Sequence, residues 1–350
     1  MALQEGEKVH AWAAFGPKQE LKPFEYVPRL LGDSEVEIKI SHCGICGSDL
    51  HTMNSGWGPT NYPCVVGHEI VGLITRTGKA VRDFRVGDRV GVGAEVYACL
   101  EKTCSACSKG VDNLCPKLVW TYNSKYSDGQ PAYGGYASHV RVAASHAFKI
   151  PDSIKSEYAA PLLCAGVTVY APLKRHGVGK GIKCGIVGIG GLGHLAIQFA
   201  AALGAEVTAI SHSENKRAEC FKLGATSFLN VDDNEAVKKA STSLDVILCT
   251  SFATAKEMDT LLGLVTYNGK FVIVGISEEK LQIAPFSIIM AQVSIVGSLI
   301  GSVGEIKEML EFAAKHNVLP IIEKYKMSEC NKGVERVESG KVRYRVVLEN

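Results

Sequence analysis

The sequence predicts an α/β protein that combines a β-rich region with a doubly wound parallel sheet. Up to about residue 157, short apolar or alternating runs such as residues 36–40 and 70–74 are broken by Gly, Pro, Asn and Asp, which is typical of strands joined by turns. Beyond that point, short apolar strands alternate with longer helical patterns. This alternation is typical of a parallel sheet covered by helices on both faces.

The strands of the parallel sheet and the region that follows it are predicted from the same patterns. Strands are predicted at residues 185–187, 206–210, 244–248 and 270–274, with helices that end at Leu203 and span 214–223. A helix over 305–315 and a closing strand over 344–348 follow in a mixed region. We therefore expect two domains, one of residues 1–157 and 299–350 and the other, which interrupts it, of residues 158–298.

The bulk properties are those of a globular protein of two domains. The chain has 350 residues, which is more than one hydrophobic core usually holds. Its net charge of +2 gives no reason to expect nucleic acid or a membrane surface as a partner. The first residues include acidic side chains and no apolar run, so no targeting segment is predicted, and no stretch has the length of a membrane span. We expect a cytoplasmic protein.

A glycine-rich turn after the first strand of the parallel sheet predicts a dinucleotide site. The motif G-x-G-x-x-G is formed by Gly188, Ile189, Gly190, Gly191, Leu192 and Gly193. Because it follows a strand and opens a helix, its glycines allow a tight turn and a close approach of the backbone to a pyrophosphate at the helix N-terminus. The alternative is a glycine-rich turn without a ligand, which this context disfavours.

The segment after the second strand favours NADP over NAD. An NAD enzyme usually places Asp or Glu there, whereas this chain has Ser211, His212 and Ser213, with Lys216 and Arg217 close behind. Hydroxyl groups and cations suit a 2′-phosphate, which an acid would repel. The nearest acid, residue 214, comes later and is expected in the first turn of the next helix. The alternative is that the two cations form only a solvated helix face.

Two sets of residues are candidates for metal binding, and the first is dispersed. Cys46, His68 and Cys164 would leave one tetrahedral position open, which is the pattern of a catalytic zinc. Glu69 would be either an occasional fourth ligand or a group that supports a ligand without binding the metal, and Asp49 would orient a ligand imidazole. Spacing alone leaves open the alternative that these residues are unrelated.

The second set is compact. The chain has 12 cysteines, a number that in a reducing compartment favours metal ligation or reactive thiols over disulfides. Four of them, Cys99, Cys104, Cys107 and Cys115, lie within one short stretch and predict a closed structural zinc site. A redox or scavenging cluster is the alternative. The cysteines without a partner pattern are interpreted as small buried residues: Cys184, Cys220, Cys249 and Cys330.

Together these motifs resemble the zinc-containing medium-chain dehydrogenase/reductase superfamily and, within it, the cinnamyl alcohol dehydrogenase family. The resemblance covers nearly the whole chain, and the block around Cys164 is highly specific. It runs through residues 44–51, 62–69, 128–129, 134–137, 160–170, the glycine motif and residues 342–345. It implies a GroES-like fold for the β-rich domain and a Rossmann fold for the cofactor domain.

The resemblance also implies roles for individual residues. Cys46, His68 and Cys164 would hold the catalytic zinc, with Glu69 as an exchangeable ligand. Ser48 would pass a proton from the zinc-bound alcohol, by way of the cofactor ribose, toward His51, because a hydroxyl accepts and donates at once and an imidazole exchanges protons near neutral pH.

The cofactor and substrate residues follow from the same resemblance. Thr168 would lie near the nicotinamide, and Ser211, Ser213 and Lys216 would hold the 2′-phosphate. Further cofactor contacts are assigned to Thr250, Val274, Ser298, Leu299 and Ile300. The substrate pocket is assigned to Trp57, Trp120, Leu299 and Ile300. Two tryptophans favour flat or extended apolar aldehydes, although a tryptophan is also a common core residue.

The chain departs from the family pattern at one point, where four residues rather than two separate Cys99 from Cys104. A bulge in the loop would absorb the insertion at small entropic cost.

We expect a homodimer that interconverts primary alcohols and aldehydes (aromatic, cinnamyl-like or medium-chain) with NADP(H) and two zinc ions, mainly toward aldehyde reduction. The alternatives are a C=C or iminium reductase, a non-catalytic NADPH-binding redox sensor and a zinc polyol dehydrogenase.

Overall fold

The computed structural model describes residues 2–4, 6–251, 255–276 and 280–350. The chain forms two compact units, one of Met1–Cys164, Gly301–Ala314 and Leu319–Asn350, the other of Ala165–Ile300 and Lys315–Val318. The main changes of unit, after Cys164 and after Ile300, lie a few residues beyond the positions that we predicted. The first unit contains mixed β-structure and the second a parallel sheet, so the predicted α/β class is confirmed.

The bounds of the elements follow the predicted alternation. The strands are β1 (Val9–Ala13), β2 (Lys22–Tyr26), β3 (Glu35–Ile45), β4 (Ile70–Thr77), β5 (Arg89–Val92), β6 (Glu95–Tyr97), β7 (Val119–Trp120), β8 (Ser124–Lys125), β9 (Pro131–Ala132), β10 (His139–Ala143), β11 (Phe148–Lys149), β12 (Lys183–Val187), β13 (Glu206–Ser211), β14 (Ser227–Asn230), β15 (Leu244–Cys249), β16 (Val265–Ile273), β17 (Ser294–Gly297), β18 (Ile322–Lys326) and β19 (Arg345–Glu349). The α-helices are α1 (Gly47–Met53), α2 (Ser156–Pro161), α3 (Val167–Arg175), α4 (Gly193–Ala202), α5 (Arg217–Lys222), α6 (Asn234–Lys239), α7 (Ala255–Leu262), α8 (Pro285–Ile289), α9 (Val303–His316) and α10 (Cys330–Glu338). Among the described residues, none of the helices combines the length and apolar character needed to cross a membrane.

The first unit is built on the long strand β3. Its sheet has the order β11-β5-β4-β3-β19-β18, and β10 also pairs with β3. Two register shifts between β3 and β4 mark local irregularities of the kind that bend a strand. Apolar residues of β3 such as Ile38 and Ile40 lie in the core. Glu37 is buried among them because Arg141 of β10 pairs with it, Nη2 to Oε2, at 2.6 Å.

The second unit is a six-stranded sheet in the order β14-β13-β12-β15-β16-β17, and each neighbouring pair is parallel. Its strands are short and apolar because helices cover them, as the buried side chains of Ile186, Ile210, Ile247 and Phe271 illustrate. In a parallel sheet, the carboxyl ends of all strands lie along one edge. The loops after β12, β13, β15, β16 and β17 therefore emerge on the same side of this unit.

Candidate metal and cofactor sites

The buried carboxylate of Asp49 organises the residues around the start of α1. The backbone N–H of Cys46 donates to its Oδ2 at 2.8 Å. Its Oδ1 accepts the N–H of Gly67 at 3.1 Å and lies 3.0 Å from Nδ1 of His68. The hydroxyl of Tyr136 donates to Oδ2 at 3.4 Å. Asp49 thus joins two segments of chain and fixes the orientation of the imidazole, which is the usual role of a carboxylate behind a ligand histidine.

Four candidate ligands converge beside Asp49. Cys46, His68, Glu69 and Cys164 each offer an atom within 4.8 Å of the others. Nε2 of His68 lies 3.1 Å from Sγ of Cys164. Cys164 lies in a single π-helical turn, Leu162–Gly166, between α2 and α3. Such turns are rare and occur often at functional sites, and here the turn follows a proline, which has no backbone N–H to donate.

The carboxylate of Glu69 fits a cation. Glu69 is fully buried, and its Oε1 accepts a hydrogen bond from the guanidinium of Arg345. Its Oε2 has no partner among the described residues. Burial raises the pKa of Glu69 to about 7, although Arg345 opposes that shift. An unpaired carboxylate oxygen beside two thiols and an imidazole is a suitable environment for Zn²⁺, which such donors bind.

The sequence gives little sign of two neighbours of Glu69. A Cβ on Gly44 would lie 1.9 Å from Oε2 of Glu69, so only glycine fits at this point of β3. Arg345 begins β19 and is the last residue of the segment 342–345 that carries part of the resemblance, which does not itself indicate a role for it. Its signal is a single arginine at the start of an otherwise apolar strand, and such a residue needs a buried acidic partner.

Ser48 and His51 lie three positions apart on α1, so their side chains occupy neighbouring places on the helix surface. The Oγ of Ser48 is 3.6 Å from Sγ of Cys46. The ring of His51 stacks on Trp57, with centroids 4.5 Å apart. Trp57 and Trp120 belong to the first unit and are 41% and 37% exposed, which leaves both indoles accessible to a ligand.

The second cysteine set forms a compact cluster in the first unit. The Sγ atoms of Cys99 and Cys107 are 3.7 Å apart, those of Cys115 and Cys99 are 3.5 Å apart, and those of Cys104 and Cys115 are 4.0 Å apart. Zn–S bonds of about 2.3 Å in a tetrahedron would separate the sulfurs by about 3.8 Å. The structure therefore brings all four thiols together at a spacing that suits a closed zinc site.

The insertion after Cys99 is absorbed by the loop. Leu100 adopts a positive φ of 52°, which turns the chain back at once. Nζ of Lys117 then contacts Oε1 of Glu101 at 2.9 Å, which holds the added residues against the segment after Cys115. Cys99 is consequently within reach of the other three sulfurs despite the departure from the family spacing.

We expect the purified protein to carry about two zinc ions per chain, one for each cluster. Replacing Cys107 by serine should remove one of them and lower the melting temperature by several degrees, with a smaller effect on turnover, because closed zinc sites contribute to folding. Elemental analysis and thermal unfolding test this, with the exposed neighbour Ser108→Ala as a control. A wild type with a single zinc would show that the lengthened loop does not bind the metal.

The residues assigned to the cofactor lie along one edge of the parallel sheet. Ser211 ends β13, while Gly188, Thr250, Val274 and Ser298 directly follow β12, β15, β16 and β17. Of the other assigned residues of this unit, Thr168 lies in α3, and Leu299 and Ile300 come just after Ser298. This is the edge at which a doubly wound sheet binds its ligand.

The glycine motif has the geometry that its pattern predicts. Gly188 has a φ of 85°, and a Cβ on Gly193 would lie 1.9 Å from the carbonyl oxygen of Gly188. The hydroxyl of Thr250 donates to that same oxygen at 2.8 Å. A Cβ on Gly190, in contrast, would meet nothing within 4 Å. The turn is thus closed on its helix side, with open space at Gly190 for a phosphate group.

The segment after β13 carries hydroxyls and a cation, and the cation contacts this turn. Nζ of Lys216 donates to the carbonyl oxygen of Ile189 in the glycine motif at 2.6 Å. The N–H of Ser213 donates to Oγ of Ser211 at 3.2 Å, so the two serines lie side by side. Arg217 instead pairs with Glu214, Nε to Oε2, at 2.6 Å. Of the two cations, Lys216 is therefore the better placed for a phosphate group.

His212 lies between the two serines in sequence, but its imidazole contacts two acidic side chains. Its Nδ1 is 3.2 Å from Oδ1 of Asp232, and its Nε2 is 3.0 Å from Oε1 of Glu257. The imidazole thus faces two carboxylates, in a geometry that fits charge pairing better than a direct bond to phosphate.

A buried acid that the sequence analysis missed lies in the first unit. Glu95 of β6 is 4% exposed, and its Oε1 has no partner among the described residues. Burial, reinforced by the negative charge of Asp112, raises the pKa of Glu95 to about 8. Since that pKa lies above its value in the unfolded chain, the stability that protonated Glu95 contributes is fully present below the unfolded pKa and is lost as the pH rises through the folded pKa.

We therefore expect Glu95→Gln to stabilise the protein in a pH-dependent manner. Glutamine mimics the protonated acid, so the variant should melt at nearly the wild-type temperature at pH 5 and a few degrees higher at pH 8. The measurement is thermal unfolding of both proteins at the two pH values. An equal difference at both would show that Glu95 does not titrate on unfolding in this range.

Comparisons with known proteins agree with this geometry. Residues 32–152 match the family model of the alcohol dehydrogenase GroES-like domain, and residues 191–315 match that of the zinc-binding dehydrogenases. A probable mannitol dehydrogenase of Medicago sativa is 45% identical over 344 residues, which are 98% of this chain and 95% of the relative. The structure of a cinnamyl alcohol dehydrogenase (CAD) of Sorghum bicolor has a TM-score of 0.93 at 40% identity and covers 98% of this chain and 97% of its own. That of the CAD of Helicobacter pylori complexed with NADP(H) has a TM-score of 0.89 at 34% identity and covers 98% of both chains.

Proposed function

The chain belongs to the cinnamyl alcohol dehydrogenase family of zinc-containing medium-chain dehydrogenases, and we propose that it interconverts extended apolar primary alcohols and their aldehydes with NADP(H). The predicted family and the enzyme class, an alcohol dehydrogenase, are thereby confirmed. The observation that carries the proposal is the convergence of Cys46, His68, Glu69 and Cys164 next to the first turn of α1.

In the proposed mechanism, Cys46, His68 and Cys164 hold the catalytic zinc, with Glu69 as an exchangeable ligand. When bound, zinc polarises a carbonyl or stabilises an alkoxide. Asp49 keeps the His68 ring turned so that Nε2 faces the site. Arg345 anchors one oxygen of Glu69 and leaves the other available to the metal.

Ser48 and His51 manage the proton. The Ser48 hydroxyl accepts the hydroxyl proton of the alcohol, and His51 takes it up and returns it to water. Bound NADP⁺ would be the acceptor of the hydride from the alcohol carbon, so the products would be the aldehyde, NADPH and the proton released through His51. Reduction of a C=C bond would not need this pair, which favours alcohol and aldehyde chemistry over the reductase alternative.

The cofactor assignment rests on the edge of the parallel sheet. The turn at Gly188 and Gly190 would accept the pyrophosphate at the start of α4. Ser211, Ser213 and Lys216 would hold the 2′-phosphate, since they supply hydroxyls and one positive charge close to the glycine motif. The same residues disfavour a polyol dehydrogenase of the NAD-linked kind.

The substrate class rests on the two partly exposed indoles. Trp57 and Trp120 would provide an apolar surface for a flat or extended aldehyde. The test is kcat/KM for cinnamyl alcohol, octanol and mannitol with NADP⁺. We expect the two apolar alcohols to be oxidised at least about tenfold more efficiently than mannitol, since a sugar hydroxyl buried without a partner is costly. A preference for mannitol would reject the proposed pocket.

We further propose that the protein is a homodimer in the cytoplasm. We also propose that residues 1–157 and 299–350 form one domain and residues 158–298 the other. Support for the dimer comes from β17, an edge strand of the parallel sheet, and from the nearby exposed residues Phe286, Ile289 and Met290, which are 76%, 67% and 68% exposed. An exposed edge next to an apolar patch favours pairing with a second copy. The twelve cysteines, none of them in a disulfide, fit a reducing compartment.

A further inference from the structure

The imidazole of His51 and the indole of Trp57 form a close, nearly parallel stack. Their centroids are 4.5 Å apart and their planes are inclined by 13°. His51 lies in the last turn of α1, and Trp57 lies in the loop that follows the helix. The two rings therefore connect a residue assigned to proton transfer with one assigned to the substrate pocket.

The loop that carries Trp57 is held to α1 by one backbone and one side-chain hydrogen bond. The N–H of Gly56 donates to the carbonyl oxygen of His51 at 2.8 Å. Beyond Trp57, the hydroxyl of Thr60 donates to the carbonyl oxygen of Thr52 at 2.6 Å. These bonds attach the loop to the helix on both sides of Trp57, so the backbone that carries the indole is held next to His51.

A parallel indole has two effects on an imidazole that carries protons. It covers one face of the imidazole and restricts rotation of the side chain, so that the two ring nitrogens keep a fixed direction. It also attracts a cation placed over its π-face within about 6 Å of the ring centroid, and tryptophan does so better than other aromatic residues. An imidazolium, which forms when His51 takes up the proton, is such a cation.

We propose that Trp57 is a positioning residue of the proton relay: its indole orients the ring of His51 and stabilises the imidazolium formed during alcohol oxidation. This inference rests on the relay of the proposed function. A residue that served only as a pocket wall would act on substrate affinity and would be independent of His51. The structure instead places its π-face on the imidazole.

The test is a double-mutant cycle of Trp57→Leu and His51→Gln in the zinc-loaded enzyme, measured by cinnamyl alcohol oxidation with NADP⁺. Trp57→Leu should lower kcat about threefold to tenfold, as expected for the loss of one cation–π contact. In the His51→Gln background the same change should alter kcat less than about twofold, because the group on which Trp57 acts is gone. Trp57→Phe keeps an aromatic face and should retain at least about half of kcat.

The outcomes separate the possible roles of Trp57. Equal losses of kcat in both backgrounds, or a change in the KM of the alcohol alone, would make Trp57 a wall of the pocket and overturn the inference. His51→Gln with wild-type kcat would remove the relay itself and reject both proposals. Zinc content, melting temperature and the KM of NADP⁺ should match the wild type in each variant, since Trp57 is partly exposed and lies outside both clusters.

Discussion

Replacing Asp49 by alanine is expected to lower kcat/KM and zinc affinity at the catalytic site by about 10-fold to 100-fold, the usual effect of losing the partner of a metal-ligating histidine. The carboxylate is fully buried and is the hydrogen-bond partner of Nδ1 of His68 and of two backbone N–H groups. Without it, the imidazole would lose its orientation and Cys46 would lose the bond that closes the first turn of α1.

Two further variants separate orientation from folding. Asp49→Asn keeps the shape but places an amide N–H₂ against a backbone donor, so it should retain the fold while still weakening zinc binding. Asp152→Ala removes an exposed carboxylate from the same unit and should match the wild type. Activity and zinc content are measured for each. An Asp49→Ala enzyme with full activity and two zinc ions would contradict the role assigned to this carboxylate.

Replacing Ser211 by aspartate is expected to reverse the cofactor preference. Hydrogen bonds to a charged group contribute about 1.5–3 kcal/mol each, so the contacts of Ser211, Ser213 and Lys216 would support a preference for NADPH of at least about a hundredfold. An aspartate at the end of β13 would repel the 2′-phosphate and accept hydrogen bonds from the ribose of NADH.

The measurement is kcat/KM with NADPH and with NADH for the wild type and Ser211→Asp. Ser227→Asp is a matched control. Ser227 is exposed and begins β14, so it lies at the amino ends of the parallel strands, whereas Ser211 lies at their carboxyl ends. It adds the same charge far from the proposed phosphate position and should keep the NADPH preference. If Ser211→Asp also kept it, the 2′-phosphate would have to bind elsewhere, with Arg217 the next residue to replace.

The cofactor edge could be predicted from sequence because it depends on local patterns. A glycine motif between a strand and a helix, and residues that follow parallel strands, are placed by periodicity and topology alone. The catalytic ligands could not be found in this way. Cys46 precedes a helix, His68 lies before a strand and Cys164 lies in a π-helical turn, so no spacing rule joins them. Only the family resemblance did so.

Other features depend on long-range contacts or on single backbone angles. Arg345 pairs with a residue far away in the chain, and Glu95 lies in a short strand that the sequence analysis did not single out. The position of the Cys99 Sγ close to the other cysteine sulfurs depends on the positive φ of Leu100, which is an uncommon conformation for a leucine. The stack of His51 on Trp57 depends on the path of the connecting loop, which sequence patterns do not determine.

The central claim is that the chain is a zinc-dependent alcohol dehydrogenase that uses NADP(H), and the reduction of cinnamaldehyde tests it most directly. Cinnamaldehyde has both a C=O and a C=C bond, so one reaction, run with NADPH and with NADH and analysed for product, examines the chemistry and the cofactor together. We predict cinnamyl alcohol as the product and a kcat/KM at least about a hundredfold higher with NADPH. Formation of 3-phenylpropanal, or a higher kcat/KM with NADH, would contradict the account.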